Sequence, residues 1–224
     1  MKLHVIGNSH VSIFAGTSEI LTWYPPNKHV FSKDEFTFHV YHVGPIIAYN
    51  FFEHHYGKVN EILANVANDF NKEEDYIMIV IGEGDCRWHL PRQASLQNKD
   101  IHELVQECVD RFFRVIQDLQ SRGYKCICWG GHPSTNSGHN DDPNCPVFGA
   151  VETRNRISRH FCSCFRTKCN EHNVPFVSIM DNLIESDGTT NMSYFVDYCH
   201  LNHDMVFDVV LQEIRRELQA HNKL

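Results

Sequence analysis

The alternation of strand-like and helix-like segments is the feature of this sequence that most restricts its fold. Five short apolar segments are typical of buried strands, and helical periodicity lies between them. The strand-like segments are residues 2–7, 36–43, 75–82, 125–131 and 175–181; the helical ones are 58–70, 101–123, 152–172 and 204–221. Because such alternation joins parallel strands through helical crossovers, it predicts an α/β fold. We expect a three-layer α/β/α sandwich with a five-stranded, mostly parallel sheet.

The length and the apolar runs predict one globular unit. The 224 residues, 42% of them hydrophobic, suit a single domain over 1–224. The apolar runs are too short to cross a membrane, and the start "MKLHVIG" lacks the apolar core and cleavage site of a secretory signal. The sequence therefore predicts a cytoplasmic protein.

The charge balance and the cysteine spacing argue against a nucleic-acid partner, ordinary disulfides and a zinc site. Twenty basic against twenty-eight acidic residues give a net charge of −8, and no stretch concentrates Lys and Arg as a nucleic-acid site does. The nine cysteines are odd in number, and the pairs Cys126/Cys128 and Cys162/Cys164 are too close for ordinary disulfides, which predicts reduced thiols. Their C-x-C spacing does not match a zinc site, and the sixteen histidines are scattered. We predict no metal and no cofactor.

The first strand ends in "GNSH", residues 7–10, which places Ser9 in a strand-to-helix turn. One interpretation is structural, since Asn8 or Ser9 can cap the next helix. The other is chemical, because ligands of parallel sheets bind beyond the carboxyl ends of the strands. His10 is expected to pack or to line the pocket, because adjacent side chains at such a turn diverge. The rest of the sequence has to decide between the two.

Near the C-terminus, "FVDYCHLNHD" contains Asp197 and His200 three residues apart in a predicted loop. This spacing can set the carboxylate behind the imidazole, so that Nδ1–H is held and Nε2 faces outward. These are the two groups that a serine nucleophile requires. His203 lies on the wrong side of Leu201 to share the carboxylate.

Taken together, these segments resemble the SGNH, or GDSL-like, hydrolases. The first block of that family matches "GNSH" with Ser9, the second matches "HVGP" with Gly44, and the last matches "DYCHLN" with Asp197 and His200. The resemblance implies a flavodoxin-like SGNH hydrolase fold and a Ser9–His200–Asp197 triad. It also implies an oxyanion hole made by the backbone N–H groups of Ser9 and Gly44.

The third block departs from the family pattern. The family carries G-x-N-D, with an asparagine that donates to the oxyanion, whereas "GEGD" here has Gly84 at that position. Arg87 in "GEGDCR" is the nearest replacement donor. Alternatively, Arg87 pairs with Glu83 or Asp85 and only braces the loop. Glu83 and Asp85 are also candidate substrate contacts.

The long loop "HPSTNSGHNDDPNCPVFG" follows the fourth strand and faces the same sheet edge. His132, Asn136 or His139 could contact substrate there. Alternatively, His139 with Asp141 and Asp142 could bind a metal, and such a loop can also be plain solvated surface. The loop therefore leaves three readings open.

The function that these expectations support is that of a serine esterase or deacylase. The resemblance implies small acyl esters as substrates, on a sugar or another polar alcohol. An acyltransferase would use the same residues. Because the block-three asparagine is absent, a binding or scaffold protein without turnover is the alternative from another class, and a metal-dependent enzyme is a third.

Overall fold

The computed structural model describes residues 1–136 and 146–221, and it is an α/β structure built on one sheet. The sheet order is β2-β3-β1-β4-β5-β6, with all neighbours parallel except the antiparallel pair β2–β3. The strands are β1 (Lys2–Gly7), β2 (His29–Lys33), β3 (Phe36–His42), β4 (Tyr76–Val80), β5 (Lys125–Trp129) and β6 (Phe176–Val177). Without β2, the parallel strands follow the 2-1-3-4-5 order of flavodoxin-like sheets. The predicted fold class is confirmed.

Three of the four helices that periodicity predicts lie close to their predicted bounds, the fourth ends at Asn65 and not at residue 70, and two further short helices were not predicted. They are α1 (Phe51–His54), α2 (Tyr56–Asn65), α3 (Leu90–Gln97), α4 (Ile101–Ser121), α5 (Val151–Glu171) and α6 (His203–Ala220). Helix α4 illustrates the cause, because Asp100 accepts a hydrogen bond from the His102 N–H (2.6 Å) at its start and Gly123, at φ 81°, follows its end. Capping and periodicity together set the bounds of α4.

Two apolar clusters cover the two faces of the sheet. One is made by residues of α2, α4 and α5 against strands β1, β3, β4 and β5. The other is made by α6 and a 3₁₀ helix, Ser9–Ala15, against the opposite side of the same strands. Phe112 and Phe165 pack in the first cluster, and Phe14 and Trp129 pack in the second. The three predicted layers are therefore present.

The sheet has six strands, so the five-strand prediction is wrong by one. The missed strand, β2, is a short edge strand that pairs with β3 through a tight turn in which Asp34 has a φ of 53°. Asp tolerates this left-handed conformation. Val30 is 56% exposed, so β2 lacks the buried apolar face that identifies a strand in sequence.

The carboxyl ends of the central strands converge on one crevice. β1 lies between β3 and β4, and the order of the parallel strands reverses at β1, where open α/β sheets bind ligands. Residues 7–10, 43–49 and 82–87 all follow these strand ends.

The cysteines and the helices can also be compared with the predictions of reduced thiols and of no membrane span. The cysteines of the described ranges form no disulfide with one another, as reduced thiols require; Cys145 lies outside the described residues. None of the helices in those ranges has the length and apolarity of a membrane span.

Candidate active site

Ser9 stands at the first position of the 3₁₀ helix that follows β1. Asn8 is the cap of this helix, since its Oδ1 accepts a hydrogen bond from the His10 N–H (3.2 Å). The Asn8 amide also donates to the Ile46 carbonyl (3.4 Å), which ties the turn to the loop after β3. The capping position is thus taken by Asn8, and the Ser9 hydroxyl lies 2.8 Å from His200 Nε2.

Asp197 and His200 are held together by the loop before α6. One carboxylate oxygen, Oδ1, accepts hydrogen bonds from the N–H groups of Cys199 (2.8 Å) and His200 (2.7 Å). The other, Oδ2, lies 2.8 Å from His200 Nδ1. Partial burial opposes ionisation of Asp197, but these hydrogen bonds outweigh it and hold the pKa of the carboxyl below its usual range. An ionised Asp197 keeps the proton of the ring on Nδ1, so that Nε2 can accept the serine proton.

The backbone N–H groups of Ser9 and Gly44 lie at the turn that carries this serine. The Val43 N–H donates to the Gly7 carbonyl (2.8 Å), which joins the ends of β1 and β3 and sets Gly44 next to the turn of Ser9. Gly44 has a φ of 95°, a conformation that favours glycine. Neither the Ser9 nor the Gly44 N–H donates a hydrogen bond to another described residue. Both are therefore available to a substrate oxygen.

Solved structures with this architecture carry esterase names. The chain resembles an acylhydrolase-like protein from Bacteroides fragilis (TM-score 0.61, 14% identity, 99% of this chain and 86% of that chain). It also resembles a GDSL-like lipase from Bacteroides thetaiotaomicron (TM-score 0.58, 11% identity, coverage 99% and 88%). A third is an acetylxylan esterase from Geobacillus stearothermophilus (TM-score 0.52, 16% identity, coverage 95% and 93%). The chain has the SGNH hydrolase fold. No protein-family model and no curated protein matches it.

In this SGNH fold, the third block begins after β4 and lacks its usual side-chain donor. Gly84 has φ −61° and ψ −29°, an ordinary right-handed helical conformation. A Cβ atom built there would meet only Ile47 Cγ2, at 3.8 Å. The glycine is thus required neither by backbone strain nor by crowding.

Glu83 is a buried brace, and its contact with substrate stays a prediction. The residue is 4% exposed, and its two carboxylate oxygens pair with His10 Nε2 (3.1 Å) and Arg87 Nε (2.6 Å). Burial alone would raise the pKa of Glu83, but the charge of Arg87 and the hydrogen bond of His10 hold it well below its usual range. A buried, ionised carboxylate therefore holds His10 and Arg87 together in this SGNH fold.

Arg87 joins this brace to the end of the long loop. Besides its bond to Glu83, its Nη1 donates to the Pro146 carbonyl, and its own carbonyl accepts the Phe148 N–H (3.0 Å). These contacts match the interpretation in which Arg87 braces the loop. Arg87 as an oxyanion donor stays a prediction.

Asp85 positions the loop that carries Gly44, and its contact with substrate stays a prediction. It is fully buried, and its carboxylate accepts the N–H groups of Ala48 (2.7 Å) and Tyr49 (3.0 Å). Burial raises the pKa of Asp85 to about 6 against the effect of these bonds. The loop after β3 is therefore anchored from below by one side chain of the third block.

Replacement of Asp85 by asparagine is expected to destabilise the protein by about 1–3 kcal/mol, because the amide would set an NH₂ group against a buried backbone N–H. Urea unfolding measures the change, and Asp69→Asn, at an exposed position, is the matched control. Equal stability of Asp85→Asn and the native chain would show that the carboxylate does not hold the loop.

His10 and His132 form an uncharged layer behind the candidate triad. Their rings meet edge to face with centroids 4.4 Å apart, and the His10 ring lies 5.2 Å from that of His200. Burial, followed by the nearby His10, lowers the pKa of His132 to about 3, and burial also lowers that of His10. His132 is 2% exposed and its Nε2 donates to the Cys199 carbonyl (3.2 Å), so it supports the loop before α6. Its contact with substrate stays a prediction.

The remaining predicted residues are Asn136 and three residues beyond the described ranges. Asn136 uses both ends of its amide on the Thr190 backbone, donating to the carbonyl (2.9 Å) and accepting the N–H (2.9 Å), so it ties two loops together. Its contact with substrate stays a prediction. His139, Asp141 and Asp142, the candidate metal ligands, lie outside the described residues.

Trp23 lies beside the candidate site, although no sequence pattern pointed to it. Its indole is 59% exposed, and three ring atoms lie 3.7 Å from the place where a Cβ on Gly44 would be. The Tyr24 N–H donates to the His42 carbonyl (2.7 Å), and His42 Nδ1 bonds to the Leu21 carbonyl (2.6 Å). These bonds hold the segment of Trp23 against the end of β3. An exposed aromatic ring beside a candidate oxyanion donor has no local sequence signal, because both partners come from separate segments.

Proposed function

We propose that this protein is a serine esterase or deacylase that removes small acyl groups from a carbohydrate or another polar alcohol. The observation that carries the proposal is the continuous hydrogen-bond chain from Ser9 Oγ through His200 to Asp197, with links of 2.8 Å and 2.8 Å. It lies at the carboxyl edge of the sheet, where such folds bind ligands.

The proposed reaction proceeds through an acyl-enzyme. Ser9 Oγ attacks the ester carbonyl carbon while His200 Nε2 takes its proton, and Asp197 stabilises the imidazolium. His200 then returns that proton to the leaving alcohol, and water attacks the acyl-serine by the same steps in reverse. A second alcohol in place of the water would complete an acyl transfer with the same residues.

Backbone N–H groups stabilise the negative charge of the tetrahedral intermediate in this proposal. The N–H groups of Ser9 and Gly44 are the proposed donors, supported by their lack of other acceptors among the described residues. Asp85 and Asn8 act indirectly, since each bonds to the loop of residues 44–49.

Trp23 supports a sugar ring as the alcohol part of the substrate. A flat, exposed indole offers an apolar platform for the C–H face of a pyranose, while the hydroxyls of the sugar stay in water. Its place against Gly44 would set that ring next to the ester carbonyl. One of the similar solved structures is an acetylxylan esterase, which agrees with an acylated sugar.

Replacement of Trp23 by alanine is expected to raise KM for an acetylated sugar about tenfold. Covering about 50 Å² of apolar surface contributes ~1.3 kcal/mol, and ~1.4 kcal/mol corresponds to tenfold. Hydrolysis of p-nitrophenyl acetate, which lacks the sugar, should change far less. Leu96→Ala removes another exposed apolar side chain, 64% exposed on α3, and is the control. Equal losses on both substrates would contradict the sugar platform.

Labelling with a fluorophosphonate separates the enzyme from a scaffold protein, the alternative that Gly84 motivates. Attack on phosphorus requires the same activated hydroxyl but no particular acyl group. The expected adduct is one label per chain, on the peptide that contains Ser9. A folded protein that takes no label would favour a protein that keeps the fold without turnover.

A further inference from the structure

Three side chains of metal-binding type meet in the loop before α6. A carboxylate oxygen of Asp197, the thiol of Cys199 and a ring nitrogen of His200 all lie within 4.8 Å of one another. Cys199 Sγ is 3.3 Å from His200 Nδ1, and Asp197 Oδ2 is 2.8 Å from the same nitrogen. The proposed hydrolysis uses the carboxylate and the imidazole but has no task for the thiol.

This donor set fits zinc better than a hard cation. Thiolate, imidazole and carboxylate are the ligands that Zn²⁺ takes in proteins, whereas Ca²⁺ and Mg²⁺ require oxygen. Zinc bonds of ~2.0–2.3 Å place tetrahedral ligand atoms roughly 3.3–3.7 Å apart. The sulfur and Nδ1 are already at such a distance. The carboxylate oxygen has to move about 0.5 Å away from Nδ1, and it lies within 4.8 Å of the sulfur.

We infer that Zn²⁺ binds Asp197, Cys199 and His200 Nδ1 and thereby switches the enzyme off. The inference rests on the proposed function for the word "off", but the binding site stands without it. Zinc forms bonds to Oδ2, Sγ and Nδ1 and loses water molecules in exchange. The thiol proton leaves to solvent, and the one proton of the neutral imidazole moves from Nδ1 to Nε2.

The consequence is the loss of the general base. With a proton on Nε2, His200 cannot accept the proton of Ser9 Oγ, although the two side chains stay in contact. Inhibition is reversible, because removing zinc restores the proton to Nδ1 under Asp197. The site is accordingly a metal-sensitive switch within the candidate triad, and its ion takes no part in the reaction.

The first test titrates ZnCl₂ into the chelator-treated full chain and follows hydrolysis of p-nitrophenyl acetate. Activity is expected to fall and to return on addition of EDTA. Cys199→Ser keeps the backbone N–H that holds Asp197, and with each variant compared with its own zinc-free rate, its zinc concentration for half-inhibition should rise at least tenfold. Cys164→Ser removes a thiol 3.6 Å from His160 Nε2 on α5 and should leave the inhibition unchanged. Equal zinc sensitivity of Cys199→Ser and the native chain would overturn the inference.

The second test does not depend on activity. Co²⁺ in place of Zn²⁺ gives a thiolate-to-metal charge-transfer absorption only when sulfur coordinates it. One equivalent of Co²⁺ is expected to produce this band in the native chain and in Ser9→Ala, but not in Cys199→Ser. A band without any esterase activity would mean that the metal site exists and the proposed function fails. The absence of the band from the native chain would refute the site itself.

Discussion

Replacement of Ser9 by alanine is expected to lower kcat/KM for a short p-nitrophenyl ester by about 10⁴-fold or more. Single losses from Ser-His-Asp sites have effects of this size, because the remaining groups cannot replace the nucleophile. The variant should fold normally, since Asn8 and not Ser9 caps the 3₁₀ helix. Steady-state kinetics on the native chain and the variant measure the change.

The same prediction has two controls. Ser193→Ala, at an exposed serine that bonds to Asn191 in the loop before Asp197, should retain the native rate. The double variant Ser9→Ala/His200→Ala should be no slower than Ser9→Ala alone, because groups that act as a unit lose their effect together. If Ser9→Ala keeps more than a tenth of the native rate, another group carries the reaction and the proposed triad is wrong.

The fold was largely accessible from sequence because strong periodicity and alternation act locally. The long helices α4 and α5 have complete apolar faces, and the parallel strands are nearly continuous apolar runs, so both types are visible in one segment. Strand β2 could not be predicted from sequence, because its pairing with β3 depends on a turn at Asp34 and not on its own burial.

The candidate site likewise contains residues that local patterns predict and residues that depend on distant partners. Ser9 and the pair Asp197/His200 could be predicted, because a strand end and a three-residue spacing are local patterns. The spacing works for a physical reason, namely that Asp197 Oδ1 accepts the N–H groups of Cys199 and His200 and so holds Oδ2 on the ring. A turn of this kind is encoded within four residues.

The roles of Glu83 and Arg87 could not be predicted in the same way. Sequence left Arg87 divided between oxyanion donor and brace, and the partners that favour the brace, Glu83 and Pro146, include a residue about sixty positions away. His10, which follows β1, pairs with the second carboxylate oxygen of Glu83. Partners that come together only in the folded chain decide what a buried charge does.

The absent donor in the third block leads to the second large expected effect. Replacement of Gly84 by asparagine is expected to raise kcat for a short ester by ~10²-fold, since a single oxyanion donor is typically worth about 10²–10³ in rate. The backbone allows the change, because its φ of −61° suits any residue and, apart from its chain neighbours and its own helix, the new Cβ would meet only Ile47 Cγ2, at 3.8 Å. Single-turnover acylation of the native chain and the variant measures the effect on the step that forms the oxyanion.

Gly84→Ala distinguishes a donor effect from a packing effect, because alanine adds the Cβ without an N–H group. If Gly84→Ala matches the native chain and Gly84→Asn is faster, the crevice lacks a donor that the fold can accommodate. If both variants are slower, mainly through a higher KM, the space beside Ile47 is occupied by substrate, and the glycine is there to admit a larger group. If Gly84→Asn changes nothing, the two backbone N–H groups with Arg87 already supply the stabilisation, since a further donor adds rate only where the oxyanion is incompletely satisfied. The sign of this one change therefore decides whether Gly84 marks a weakened catalyst or a widened substrate site.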